Sequence, residues 1–356
     1  MLDVVPFVEF KLVDCKLPFA ASRNSDAAPV ADTEILQQNC QKIQCKTVEE
    51  VQVPSDYRDF LLADYTYGNT RIIVFCTETA REIICQVEDF YADGTFKSCS
   101  PPFDQLYTIH GDIGSTANHT NLMPLVYALM SNRTTESYKI LFMLIKAEIP
   151  KWSPKRIKTD YERAAMKAIV DVFPCVELKG CYFHFNKAIW AKGRELSLTN
   201  TKDIKKRRLV ALSAVLPLLP KTEVMNGWAY IMRHENDDSA VKKFKAYMEK
   251  QWLKDKFIPI WNAFGEKHRT TNSLESWHHK LNCTVGKKGP NLLHLLHCLY
   301  EDAAFYLVRN RQRHTETPVT KRIEKYKIKD EFIQDAQIEL IHGDLTVGHF
   351  LEMLRS

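Results

Sequence analysis

The sequence predicts a mixed α/β core followed by a long helical region, and two observations carry that reading. Between Arg71 and Leu196, short apolar and β-branched runs alternate with stretches whose apolar residues recur at helical spacing, the pattern of a sheet with helices packed on it. From about residue 197 to 270, and again from Leu292, the helical pattern continues almost without a break. There Trp228, Tyr230, Phe244, Tyr247, Trp252, Phe257 and Trp261 supply large apolar side chains. Aromatic residues at such spacing are core residues by default, so none of them is assigned to base stacking.

Taken in order, residues 1–33 lack periodicity and apolar content and read as a flexible leader, and 34–70 form an N-terminal lead-in. Arg71–Thr77 predicts a strand, Thr77–Ile84 a helical turn or two, and Cys85–Glu88 leads into Tyr91-Ala92-Asp93-Gly94-Thr95-Phe96, with Asp93 at the start of a strand. Phe96–Ser98, Gln105–His110 and Leu122–Met130 are expected to be extended, with turns at Pro101-Pro102 and at 111–121. Thr134 gives a cap signal for a helix on Tyr138, Leu141, Phe142, Leu144 and Ile145. Arg156–Thr159 predicts a short strand whose end delivers Asp160, followed by a helix over Glu162–Val172. Val176–Phe183 reads as extended and Phe185–Leu196 as helical, which closes a core over 71–196. The helical stretch 197–270 then separates this core from residues 271–356, which open with a helix carrying Glu275 and continue in further helices.

A chain of 356 residues with 45% hydrophobic content can form one large domain with an insertion or two modest ones. Its 10 cysteines are scattered rather than regularly spaced, which favours reduced thiols in the cytosol or nucleus. The first residues carry acids where a signal peptide needs Lys or Arg, and no apolar run approaches the roughly 20 residues of a membrane span. The net charge of +5 is compatible with a polyanionic partner without matching a dedicated basic nucleic-acid binder. Two basic runs, Lys202 to Arg208 and Lys242 to Lys256, read equally as solvated helix faces and as phosphate contacts or a nuclear-import signal.

Asp93, Asp160 and Glu275 are the candidate catalytic residues. Taken singly, an Asp before Gly is a turn residue, an Asp before a helix is an N-cap, and a helical Glu faces solvent. Together they look like a metal-binding triad for phosphodiester chemistry, in which two divalent cations about 4 Å apart need little beyond oxygen ligands. Cys181 and His184 form half of a zinc site, and His278, His279 and Cys283 lie on the helix with Glu275. A structural zinc is not expected; His184 reads instead as a buried, hydrogen-bonded residue beside the active site. Trp277 reads as core, with stacking on a displaced base as the alternative.

The succession of these phrases resembles the Mutator-like element (MULE) transposase domain: Asp93-Gly-Thr-Phe96, Thr159-Asp160-Tyr-Glu162, Gly180-Cys181-Tyr-Phe-His184-Phe185 and Thr271-Asn272-Ser-Leu-Glu275-Ser-Trp277-His278. The resemblance runs from about Tyr57 to Leu296. It implies a ribonuclease-H-like fold with an all-helical insertion before the last acid, matching 197–270. It also implies that Asp93, Asp160 and Glu275 ligate Mg²⁺ or Mn²⁺, and that the protein is a DDE-type transposase cutting and joining DNA in the nucleus, commonly as a homo-oligomer. Cys181 and His184 match a motif of the family.

Complete transposases of this kind carry a Cys/His zinc-binding DNA-recognition domain. Cys40 and Cys45 are the only paired cysteines upstream and have no suitable His, so a truncated copy, a partial gene model or a host gene derived from such an element is expected. Thr271 replaces a second Asn of the family motif, a change expected to be tolerated. The competing function is a domesticated DNA- or chromatin-binding protein without transposition activity; a third is a ribonuclease-H-like enzyme acting on RNA hybrids.

Overall fold

The computed structural model describes residues 47–116, 119–233, 238–266, 269, 272–312 and 324–355. The expected leader 1–33, Cys40, Cys45 and Thr271 lie outside the described residues.

Seven strands form one mixed sheet: β1 (Leu61–Tyr67), β2 (Thr70–Phe75), β3 (Asp89–Thr95), β4 (Gln105–Asp112), β5 (Leu122–Met130), β6 (Arg156–Thr159) and β7 (Glu177–Gly180), in the order β1-β2-β5-β4-β3-β6-β7. The pairs from β1 to β3 are antiparallel, whereas β6 runs parallel to β3 and β7 parallel to β6. A β5-β4-β3 meander extended by two parallel strands, with helices in the connections to β6 and β7, is the ribonuclease-H-like core that the motifs implied.

Strand alternation sends neighbouring side chains into two different cores. Ile72 and Val74 face one side with helices α1 (Glu78–Ile84), α2 (Thr135–Glu148) and α3 (Arg163–Val172). Ile73 and Phe75 face the other, against Trp277, Leu281 and Val285 of α9 (Asn272–Val285) and Leu295, Leu296 and Leu299 of α10 (Leu292–Gln312). Thr134 caps α2 as its sequence suggests, its side chain accepting from the Ser137 N–H.

After β7 the chain enters α4 (Tyr182–Glu195) and then a helical layer of α5 (Ile204–Val215), α6 (Val224–Met232), α7 (Ser239–Gln251) and the single turn α8 (Ile258–Trp261). Phe185 of α4, Leu212, Trp228, Phe244 and Trp261 make a third core, which also takes Ile333 and Ala336 of α11 (Glu324–His342) and Phe350 and Leu351 of α12 (Val347–Leu354). The last helices therefore pack on the helical layer rather than on the sheet. Among the described residues, no helix is long and apolar enough to cross a membrane.

Three local expectations are corrected, and one strand is added. Asp93 lies inside β3 rather than at its start, because Phe90, Tyr91 and Ala92 already pair with β4 on one side and β6 on the other. Phe96–Ser98 is not a strand; the chain leaves the sheet after Thr95 and exposes Phe96. Val176–Phe183 is extended only over β7: the Cys181 N–H still donates to Thr159 O (2.9 Å), but the Tyr182 N–H turns to Arg269 O (3.0 Å) and α4 begins. The edge strand β1 was not anticipated, since its half-exposed Leu-Leu-Ala-Asp-Tyr-Thr-Tyr run has no clean apolar alternation.

Candidate active site

The sheet brings the two aspartates together by register alone. β3 and β6 pair Tyr91 with Lys158 and Ala92 with Thr159, so the next residues, Asp93 and Asp160, stand side by side at the carboxyl ends of parallel strands. One strand further, Thr159 pairs with Gly180, which sets Cys181 level with Asp160. A Cβ on Gly180 would run into the Tyr161 ring, so glycine is what allows β7 to approach the Asp160 loop.

Backbone groups orient both acids. The Gly94 N–H donates to Asp93 Oδ1 (2.9 Å), and the Glu162 N–H donates to Asp160 Oδ1 (3.1 Å). Asp93 is buried, and burial together with the neighbouring Asp160 charge pushes its carboxyl up to about 7, against the opposing pull of His184 and the Gly94 N–H.

His184 occupies the first turn of α4, between the acids. Burial favours its neutral ring, but hydrogen bonding to Cys181 and the charges of Asp93 and Asp160 outweigh that and raise it to about 9. Glu275 on α9 brings Oε1 to 3.9 Å from His184 Nε2. His278, on the same face of α9, brings Nδ1 to 3.6 Å from Asp93 Oδ2. Burial holds the His278 ring neutral, down to about 4, with the His184 charge acting in the same direction.

Asp93, Asp160, Glu275, Cys181, His184 and His278 are thus collected in one place from β3, the end of β6, α4 and α9. Trp277 faces away from them into the core. Its Nε1–H donates to Asp302 Oδ2 (2.8 Å), an acid that also accepts from the Tyr127 hydroxyl (3.2 Å), and its ring packs edge-on against His110. Through Asp302 the sheet, α9 and α10 are tied together, and this anchors the helix that carries Glu275. His279 and Cys283 are exposed, with Sγ and Nε2 3.7 Å apart, and stay apart from Cys181. Among the described residues, no group of three His, Cys, Asp or Glu side chains is gathered closely enough to hold a metal ion.

Three features escaped sequence reasoning. Glu162, read as the first residue of a helix and as part of a motif, precedes α3 without capping it; its carboxylate accepts from the Tyr138 hydroxyl (2.8 Å), itself held by Gln105 (2.7 Å). Glu162 also lines a cleft of about 410 Å³ with Asp160, His184, Tyr247, Gln251 and Trp252, so the helical layer forms one wall of the site. Finally, Lys158 and Lys179 are buried on neighbouring strands and share Glu266, at 2.9 and 3.3 Å. A Lys at alternate positions of a short strand reads as a solvated edge, and only the returning chain after α8 reveals the partner.

No curated protein matches the chain. Residues 90–188 match the family model described as the MULE transposase domain, a span that opens in β3, includes Asp93, Asp160, Cys181 and His184, and ends within α4. Glu275 lies beyond that span. The ribonuclease-H-like sheet and the match at its centre agree: the chain carries a MULE transposase domain.

Proposed function

We propose that the chain acts as a DDE-type transposase catalytic domain, performing metal-dependent cleavage and transfer of DNA strands in the nucleus. The observation that carries this reading is the placement of Asp93 beside Asp160 at paired strand ends, within the matched span, with the Glu275 helix returning over them.

The donor set suits Mg²⁺ or Mn²⁺, which take carboxylate oxygens. Burial and the charge of Asp160 raise Asp93, and a divalent cation is the counter-charge that relieves both. Asp93, Asp160 and Glu275 would be the ligands; on this reading binding draws Glu275 away from its 3.9 Å approach to His184. When bound, such cations activate the attacking oxygen and stabilise the leaving one. The protein's own part is orientation. The Gly94 and Glu162 N–H groups fix one oxygen of each aspartate, and in the metal-free site His184 offsets part of the charge of the acids. Strand joining is expected to require a homo-oligomer.

Nicking of supercoiled plasmid in Mn²⁺ tests the reading. Activity lost in Asp93→Asn, Asp160→Asn and Glu275→Gln is the expected result. Cleavage that survives all of these changes, or an intact protein that never nicks, would sink it.

A further inference from the structure

We infer that the loops following β3, β5 and α9 form a cationic flank of the site that holds the phosphate backbone of duplex DNA beside the bond to be cut. This rests on the function proposed above.

Phe96 is the first residue beyond β3, three positions from Asp93, and is 50% exposed. Its ring is covered by Arg133, whose guanidinium carbon lies 4.7 Å from the centroid, so an exposed arginine is held in a fixed orientation. The charge of Arg133 reaches Glu162, which lines the cleft with Asp160. On the other side, Gly286 (φ 75°) and Gly289 (φ 61°) take left-handed conformations and set Lys287 and Lys288 at an exposed tip. That tip is fastened to the chain beyond β3: the Gly289 N–H donates to Lys97 O (3.3 Å), and Ser98 Oγ donates to Asn282 Oδ1 (2.6 Å).

Lys97, Arg133, Lys287 and Lys288 thus come from separate segments to one rim. Among the described residues, none of these lysines has a carboxylate within salt-bridge distance. The basic runs visible in the sequence differ, since Lys206 pairs with Asp238 (2.8 Å), Arg208 with Glu352 (2.5 Å) and Lys245 with Glu249 (3.9 Å). Grouped lysines without paired carboxylates attract a polyanion, and exposed loops rather than a narrow groove suit a duplex backbone.

The test is anisotropy of a labelled DNA duplex against salt concentration, using the full chain in EDTA so that chemistry is silent. Each lost phosphate contact should flatten the log–log salt slope by about 0.9. Lys287→Ala/Lys288→Ala is therefore expected to flatten it by about 2 and Arg133→Ala by about 1. A control pair on the helical layer whose cations are paired with acids, Lys206→Ala/Lys245→Ala, should cost less. An unchanged slope in Lys287→Ala/Lys288→Ala, an equal loss in the control pair, or displacement of the duplex by equimolar RNA would overturn the inference, with thermal melts confirming that each variant is folded. Normal salt behaviour in a protein that never nicks would remove the catalytic reading and leave this surface standing.

Discussion

Asp93 and Asp160 are neighbours because β3 and β6 run parallel in a register that pairs Ala92 with Thr159. The cost of that proximity falls on Asp93, which burial and the Asp160 charge raise to about 7. Asp160→Asn removes the repelling charge. It should abolish nicking and at the same time stabilise the metal-free protein by about 0.5–2 kcal/mol, as removal of a strained functional group commonly does. Paired plasmid-nicking and denaturant-unfolding measurements check both halves.

The stability of the metal-free protein should fall from pH 6.5 to 9. Asp93, raised above its ordinary value to about 7, keeps in the folded state a proton that the unfolded chain has lost, so its contribution declines as pH rises to 7. His184, raised to about 9, contributes stability that is complete below 6.5 and lost as pH rises through 9. Below 6.5, His278, lowered to about 4, opposes Asp93, because the unfolded chain takes up a proton there that the folded ring refuses. Mn²⁺ should flatten the alkaline decline and raise the melting temperature more at pH 8 than at pH 6, and EDTA should reverse both. Thermal melts across that range provide the check.

Glu266 is the shared partner of buried Lys158 and Lys179. Glu266→Ala leaves both cations buried without it and should cost about 3–5 kcal/mol, whereas replacing all three residues with apolar ones of similar size should recover much of the loss. Urea unfolding of the single and triple variants separates these outcomes.

Asp302 ties the Trp277 indole and the Tyr127 hydroxyl. Asp302→Ala strands two donors, at about 1–3 kcal/mol for an unsatisfied buried group. It should also reduce nicking beyond what the lost stability explains, because α9 carries Glu275. Comparing residual activity with folded fraction at a fixed temperature tests this.

Gly180→Ala should cost about 1–3 kcal/mol through the clash with Tyr161. A melting temperature equal to that of the parent protein would contradict the tight approach of β7.

Much of the core was legible in the sequence because β2, β4, β5, β6 and α2 carry strong local signals: β-branched runs, turn residues and a threonine cap. Asp93, Asp160 and Glu275 stand out in the sequence by their flanking phrases, and the fold brings them to one place; their role in catalysis is the proposal made above. What was hidden depends on contacts distant in sequence. The position of Asp93 within β3 follows from partners on both sides, and the helical start at Tyr182 follows from a carbonyl at Arg269. Glu162, predicted as the first residue of a helix, instead precedes α3 and places its carboxylate on Tyr138, and Glu266 lies more than 80 positions from both Lys158 and Lys179.

The separation of Glu275 from the two aspartates also has a consequence for biosynthesis. Asp93 and Asp160 leave the ribosome long before α9, and four helices of the intervening layer must form before Glu275 can reach His184. Such long-range closure comes late in folding. A nascent chain therefore presents at most the pair Asp93 and Asp160, and a chain interrupted between α4 and α9 never gathers all three acids. On the proposed function, cutting is withheld until the whole chain has folded.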